Sequence, residues 1–299
     1  TFSNLLIDPT GTLYVGAVTG DTPITENDPG AWADGDSYIT EATIQTLLEA
    51  GDLAMEWDQV IFNADVNLDS VAGTNTLTLI AKGTGATSGI ATDGSVYTLT
   101  MDDHPLVLNT GGAGDGAIDL TNLAIVSSAA VSLATNNKDI TATNAGNAMT
   151  GNITFNGAAV TIVNTVDTAL AGTANQLTVR ATGNITQHGA LTIVNNTQLY
   201  ANAAGGSITL DNSANAMSNN ITLGSTDVLG DVTIENTKAT NLHLPKNIGG
   251  DLLVNVTGGA GSSLTINNVP GGTLTVDNNI SLTATGSINT DPALVSTNK

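Results

Sequence analysis

Short segments in which a threonine stands between two aliphatic residues recur through the second half of this 299-residue chain. The alternation places aliphatic side chains on one face and threonine on the other, which is typical of a half-buried β-strand. Asn, Gly and Asp separate the segments, and these residues tolerate the backbone of tight turns. The pattern predicts an all-β chain of many short strands. The clearest segments are residues 177–179, 191–193, 208–210, 232–234, 264–266 and 274–276.

Longer stretches of the chain repeat as well. Residues 147–155 (NAMTGNITF) return as residues 215–223 (NAMSNNITL), an offset of 68. Residues 160–164 (VTIVN) return as residues 191–195 (LTIVN). A β-sandwich also spaces its strands in this way, but its strands have no reason to be copies of one another. Each coil of a parallel β-helix stacks on an equivalent coil, so we predict that fold.

Such a fold assigns the side chains to an inside and an outside. Ile, Leu and Val are expected to fill a thin aliphatic bore, while Thr faces water on the strands. Five Asn-Asn pairs are predicted to lie at corners between strands. Their amides either form hydrogen-bonded ladders between coils or serve only as turn residues. The pairs are residues 136–137, 195–196, 219–220, 267–268 and 278–279.

One short helix is predicted near the N-terminal end. Thr40 is the N-cap candidate, Glu41 places an acid in the first turn, and Gly51 is the stop signal. A single amphipathic helix in a β chain is expected to cover an exposed end of the solenoid. Its apolar face consists of Ile44, Leu47 and Leu48.

Composition suggests two regions. Residues 1–100 hold seven of the nine aromatic residues, and residues 1–70 hold 13 of the 27 carboxylates without any Lys or Arg. We therefore predict an N-terminal capping or specialised region over residues 1–100. A repetitive β-helix array is predicted over residues 101–299.

Charge and composition exclude several classes of function. With 6 Lys and Arg against 27 Asp and Glu, the net charge of −21 argues against nucleic acid and anionic membrane as main partners. No apolar run approaches the ~20 residues of a membrane span, so no membrane insertion is expected. The absence of Cys excludes disulfides and thiol catalysis. Because the chain begins with Thr1 rather than Met, we expect that an upstream segment such as an export signal is missing.

Residues 34–52, which hold the predicted helix, lead into residues 60–66 (VIFNADV) and 75–79 (NTLTL). This succession resembles the filamentous-haemagglutinin-type surface proteins of Gram-negative bacteria, in which a short helix precedes similar strands. The resemblance covers about 50 residues closely. It implies a right-handed parallel β-helix, export to the bacterial cell surface, and adhesive or scaffolding work without catalysis.

The sequence offers few candidates for a chemical site. Asp34 and Asp36 flank a glycine, and Asp28 lies nearby, so these three carboxylates form a candidate calcium site. No catalytic residue and no other cofactor is expected. Arg180, the single arginine, is interpreted as a solvated residue at a strand end. The acidic cluster with a histidine at residues 102–105 is interpreted as a polar turn closed by proline.

We therefore expect a secreted or surface-exposed structural or adhesive β-solenoid that is not an enzyme. Its partner is either a second copy, stacked head to tail into a filament, or the glycans and proteins of a host or neighbouring cell. One alternative is a polysaccharide lyase or hydrolase of the β-helix class, which requires paired carboxylates in a groove. A second alternative is an ice- or mineral-binding face of outward threonine rows.

Overall fold

The computed structural model describes residues 4–7, 11–16, 22–23, 36–85, 88–111, 116–267, 272–291 and 293–297. It divides into two compact units, Thr1–Ala158 and Ala159–Lys299. The predicted division at residue 100 is one of composition and stays a prediction.

The described part of the first unit contains one helix, α1 (Glu41–Ala50), which is too short to cross a bilayer. Its strands are β1 (Asn4–Ile7), β2 (Thr12–Gly16), β3 (Thr22–Pro23), β4 (Ser37–Thr40), β5 (Asp52–Trp57), β6 (Gln59–Phe62), β7 (Val66–Asn67), β8 (Leu77–Ala81), β9 (Gly89–Thr92), β10 (Tyr97–Asp102), β11 (Leu106–Thr110), β12 (Ala117–Asp119), β13 (Leu123–Ser127), β14 (Val131–Thr135), β15 (Ile140–Ala142), β16 (Ala148–Met149) and the start of β17 (Asn152–Asn164).

These strands form three rows of parallel pairs. The first row is β1, β5, β8, β11, β14 and the start of β17. The second is β3, β4, β2, β6, β9, β12 and β15. The third is β7, β10, β13 and β16. Because the chain visits the rows in turn from β5 to β16, each coil contributes one strand to each row. The predicted parallel β-helix is confirmed in this unit.

The second unit continues with β18 (Thr168–Ala181), β19 (Ile185–Ile193), β20 (Thr197–Ala201), β21 (Ile208–Leu210), β22 (Ala216–Met217), β23 (Asn220–Gly224), β24 (Val232–Asn236), β25 (Thr240–His243), β26 (Asn247–Ile248), β27 (Leu252–Val256), β28 (Leu264–Asn267), β29 (Thr273–Val276), β30 (Ile280–Ala284), β31 (Ile288–Thr290) and β32 (Ala293–Ser296). All six threonine-centred segments predicted as strands lie in strands.

Two long rows of parallel strands organise this unit. We call the first the amide sheet; it consists of the end of β18 followed by β20, β23, β25, β28 and β31. The second row consists of the start of β18, the start of β19, β21, β24, β27 and β30. Shorter parallel rows complete the coils. The β-helix is thus confirmed here too.

Stacks of aliphatic side chains form the core of each unit. In the first unit, Leu53, Leu77, Leu106, Val131 and Ile153 are in register on successive coils and are fully buried. The predicted aliphatic bore is therefore confirmed, with aromatic side chains added to it. The threonine of every predicted segment lies on the more exposed face of its strand, as expected. Among the described residues, the largest buried side chains are Trp57, Phe62 and Phe155, all in the first unit.

Helix α1 forms as predicted, with Thr40 as the N-cap and its apolar face buried. It lies beside β7, which among the described strands pairs only with β10. The Glu41 carboxylate accepts the Asn67 N–H at 2.9 Å, and Gln45 Nε2 donates to the Asn67 carbonyl at 2.7 Å. Side chains of the helix therefore replace the missing neighbouring strand. Both backbone groups of Asn67 are satisfied at this edge. The expected role of the helix in covering an exposed end of the solenoid stays a prediction.

Candidate functional site

A ladder of side-chain oxygens connects the coils at one corner of the second unit. Each member after the first donates its backbone N–H to the side-chain oxygen of the member before it, over distances of 2.7, 2.9, 3.0, 2.8 and 2.9 Å. Because each coil contributes one member, the ladder fixes the register of successive coils. We call it the corner ladder; its members are Asp167, Asn184, Ser207, Asp231, Asp251 and Asn279. Sequence reasoning missed it, although each member directly precedes a strand.

Two fully buried asparagines explain the repeat of residues 147–155 at 215–223. Asn147 Oδ1 accepts the Ile125 N–H at 2.8 Å, and Asn215 Oδ1 accepts the Leu191 N–H at 2.9 Å. Each amide nitrogen donates to the carbonyl five residues earlier in the chain. The two copies therefore place the same amide in the same role, holding one coil to the coil before it.

Asn236 is a third buried amide with a strand-like role. Its Oδ1 accepts the Met217 N–H at 2.9 Å, and its Nδ2 donates to the Met217 carbonyl at 2.8 Å. One side chain thus satisfies both backbone groups of a residue in β22. Asn236 Nδ2 also lies 2.9 Å from Thr240 Oγ1, and Asn164 has the same contact with Thr168 at 2.9 Å. These amides act as substitutes for peptide groups of an adjoining strand.

The outer face of the amide sheet carries polar side chains and no carboxylate. It belongs to a chain with a net charge of −21, so a face without Asp or Glu is a local departure from the rest of the surface. We call it the amide face and define it by Thr178, Arg180, Gln198, Tyr200, Asn220, Thr222, Asn241, His243, Thr265 and Asn267, which alternate with buried aliphatic residues.

Side-chain amides form a ladder along this face. Asn241 Nδ2 donates to Asn220 Oδ1 at 2.6 Å, and Asn267 Nδ2 donates to Asn241 Oδ1 at 2.5 Å. At the adjoining corner, Asn219 Nδ2 donates to Asn195 Oδ1 at 3.4 Å. The interpretation of the Asn-Asn pairs as ladder residues is confirmed for Asn195, Asn219, Asn220 and Asn267. The predicted corner position is wrong for Asn220 and Asn267, which are terminal residues of β23 and β28. Asn241 belongs to no such pair, so only the register of β25 reveals its place.

A groove of about 470 Å³ crosses three coils at the N-terminal ends of β23, β25 and β28. Its polar lining contains one ammonium, from the exposed Lys238, and no carboxylate. Amides and hydroxyls both donate and accept hydrogen bonds, so the groove suits a ligand rich in such groups. The remaining polar residues of the lining are Ser218, Asn219, Asn220, Thr240, Asn241, Ser263 and Thr265.

Arg180 stacks on the ring of Tyr200, with its guanidinium carbon 4.0 Å from the ring centroid. The two residues are directly opposite each other on β18 and β20. Gly224 lies opposite Tyr200 on the next strand, where a Cβ would come 2.8 Å from the ring. Arg180 is exposed at a strand end, as predicted, and a cation–π contact is what it contributes there.

The predicted calcium site lies mostly outside the described residues. Asp28 and Asp34 are not described, and the exposed Asp36 accepts the Thr12 N–H on Oδ1 at 3.0 Å. Within the described part of the chain, no group of three His, Cys, Asp or Glu side chains is arranged to hold a metal ion. Calcium binding by Asp28, Asp34 and Asp36 stays a prediction.

The cluster of acids and histidine at residues 102–105 is a turn, as interpreted. The His104 ring is buried, with Nδ1 2.8 Å from the Asn75 carbonyl and Nε2 3.3 Å from the Val71 carbonyl. Asp103 instead accepts the Ser128 hydroxyl at 2.6 Å, on the exposed side. The histidine and the carboxylate therefore serve separate structural contacts.

The ice- or mineral-binding alternative calls for outward rows of threonine, and the first row of strands in the first unit does not carry an unbroken one. There, Ala54, Thr78, Val107, Ser132 and Thr154 lie opposite one another on successive coils. A surface that matches a crystal lattice needs identical groups at a regular spacing. This row provides a mixture of apolar and hydroxyl side chains.

Comparison with known proteins gives one match. A family described as "Repeats of unknown function (DUF5649)" matches residues 157–224. No curated protein and no solved structure matches the chain. The matched stretch includes β18 to β23, the buried Asn164 and Asn215, and three members of the corner ladder. This part of the chain is therefore similar to a repeat family whose description assigns no function.

Proposed function

We propose that this chain is a structural and adhesive segment of an exported β-solenoid at a bacterial cell surface, with no catalytic activity. The observation that carries the proposal is the series of coil-to-coil ladders, because they maintain a regular repeated surface over many coils. The resemblance of residues 34–83 to filamentous-haemagglutinin-type proteins agrees with this role.

The arrangement of ionisable groups supports the structural reading. Carboxylates such as Asp167, Asp231 and Asp251 accept backbone N–H groups of the next coil, so their contacts hold one coil to another. Arg180 is stacked on Tyr200, and the His104 ring is buried between carbonyl groups. Each group has a partner that serves the scaffold.

The proposed partner is a second copy of the chain. Ile288 in β31 is 44% exposed, although Leu264, its opposite residue in β28, is fully buried. Leu282 in β30 is likewise more exposed than Val254 opposite it. Among the described strands, β30, β31, β32 and β1 each pair on one side only. Contact between these edges is heterologous, so it extends into a filament.

Surface exposure is tested by treating intact source cells with protease and quantifying the chain with an antibody. Loss of the chain, with a cytoplasmic marker retained, is the expected result. A chain that stays intact until the cells are broken would contradict export.

Assembly is tested by negative-stain microscopy of the purified chain over a range of concentrations. Filaments that lengthen with concentration are expected, and Ile288→Lys should abolish them because it places a charge on the stacking edge. Val194→Lys, at a position 53% exposed away from that edge, is the matched control. Monomers at every concentration would refute the proposed self-assembly, and the proposed adhesive role would then stand without it.

A further inference from the structure

We propose that the groove on the amide face binds an acidic glycan, a chain of hydroxyl-rich sugars that carry carboxylates. The inference names the ligand of the adhesive surface proposed above and rests on that function for its biological use. Binding itself is a property of the purified chain, so it is measured separately from surface exposure.

The amide ladder holds its donors and acceptors ready for a ligand. Asn241 uses one N–H towards Asn220 and accepts one hydrogen bond from Asn267. A primary amide has two N–H groups and two acceptor positions, so Asn241 keeps one of each. Its neighbours in the ladder restrain its rotation, which lowers the entropy lost when a hydroxyl group binds. Successive coils repeat these groups about every 4.8 Å along the groove.

The charge of the groove favours an acidic sugar over a neutral one. Lys238 is one of only six basic residues in the chain, and no carboxylate shares the groove with it. Carboxylates that lie more than about 8 Å from the groove act on it only weakly at physiological ionic strength. A carboxylate of a ligand in the groove is therefore attracted by the Lys238 ammonium, and no carboxylate of the lining repels it.

The same geometry argues against a peptide ligand. Every strand of the amide sheet from β20 to β28 is paired on both sides, so no edge is open to an added strand. The lining provides no apolar pocket for a peptide side chain, because Ala239 is its only aliphatic residue. An extended polar chain that crosses three coils can form hydrogen bonds with the amides and hydroxyls of the lining.

The test uses galacturonic acid oligosaccharides of four to six units, titrated into the purified chain and followed by NMR or calorimetry. A dissociation constant on the order of a millimolar or below is expected. Lys238→Met should weaken binding about fivefold and reduce its dependence on salt. Lys246→Met is the matched control, since it removes an exposed ammonium of the same unit outside the groove and should leave the affinity unchanged.

Asn241→Asp tests the sign of the charge. The substitution keeps the size of the side chain but places a carboxylate beside the sugar acid, so the affinity should fall more than tenfold. Neutral cello-oligosaccharides of equal length should bind at least fivefold more weakly than the acidic probe to the wild type. Circular dichroism of each variant checks that the fold is retained.

Two results would overturn the inference. One is no binding of the acidic probe at a concentration of about 10 mM, and the other is an equal loss of affinity in Lys238→Met and Lys246→Met. If the chain is exposed on cells but the probe does not bind, only this inference fails. If the probe binds but the chain is intracellular, the proposed function fails instead.

Discussion

Removing the Asn236 side chain tests whether buried amides replace strands in this fold. Asn236 is fully buried and pairs with both backbone groups of Met217. The variant Asn236→Ala leaves that N–H and that carbonyl buried without a partner. It also removes the contacts with Thr240 Oγ1 at 2.9 Å and the Lys238 carbonyl at 3.2 Å.

The size of the effect follows from these contacts. An unsatisfied buried backbone group costs about 1–3 kcal/mol, and two are created. Part of this is recovered if water enters the space left by the amide. We therefore expect the free energy of unfolding to fall by about 2–5 kcal/mol.

Urea-induced unfolding, followed by circular dichroism, measures that change, and amide hydrogen exchange at Met217 gives the local readout. Asn255→Ala is the control, because Asn255 is half-buried and makes one long hydrogen bond of 3.4 Å to Glu235. It should cost less than about 1 kcal/mol. A loss below about 1 kcal/mol for Asn236→Ala, or unchanged protection at Met217, would refute the strand-substitute interpretation.

Three further changes probe other contacts. Glu41→Ala removes the acceptor of the exposed Asn67 N–H at the edge of β7, so hydrogen exchange there should accelerate and the first unit should lose about 0.5–1.5 kcal/mol. Gly151→Ala brings a Cβ into collision with the Ala129 carbonyl oxygen, so the melting temperature should fall by several degrees in a thermal scan. The backbone hydrogen bond from Ser95 holds the pKa of the Asp93 carboxyl below its ordinary value of 3.8. The stabilisation that this carboxylate gives to the folded state is therefore present above pH 3.8 and is lost as the pH falls through the lower pKa of the folded state. Carbon NMR titration of Asp93 measures that folded-state pKa.

The proposed adhesive groove shows where sequence reasoning reached its limit. Asn219 and Asn220 were identifiable as a pair, and their amides do lie in a ladder. Asn241 and Lys238 join them only because β23, β25 and β28 align in register. The number of residues per turn varies from coil to coil, so spacing along the chain does not predict which residues become neighbours.

The sequence by itself determined the strand type, the single helix and the parallel coil. The strands follow from local alternation and the helix from capping by Thr40, while the parallel coil follows from the repetition of residues 147–155, and all three can be read from the order of residues along the chain. Only the tertiary structure decided which side chains serve as substitutes for backbone. Strand β22 ends at Met217, and the Asn236 side chain pairs with the backbone of that residue. The loop lengths that bring the two together are not specified by any local sequence pattern.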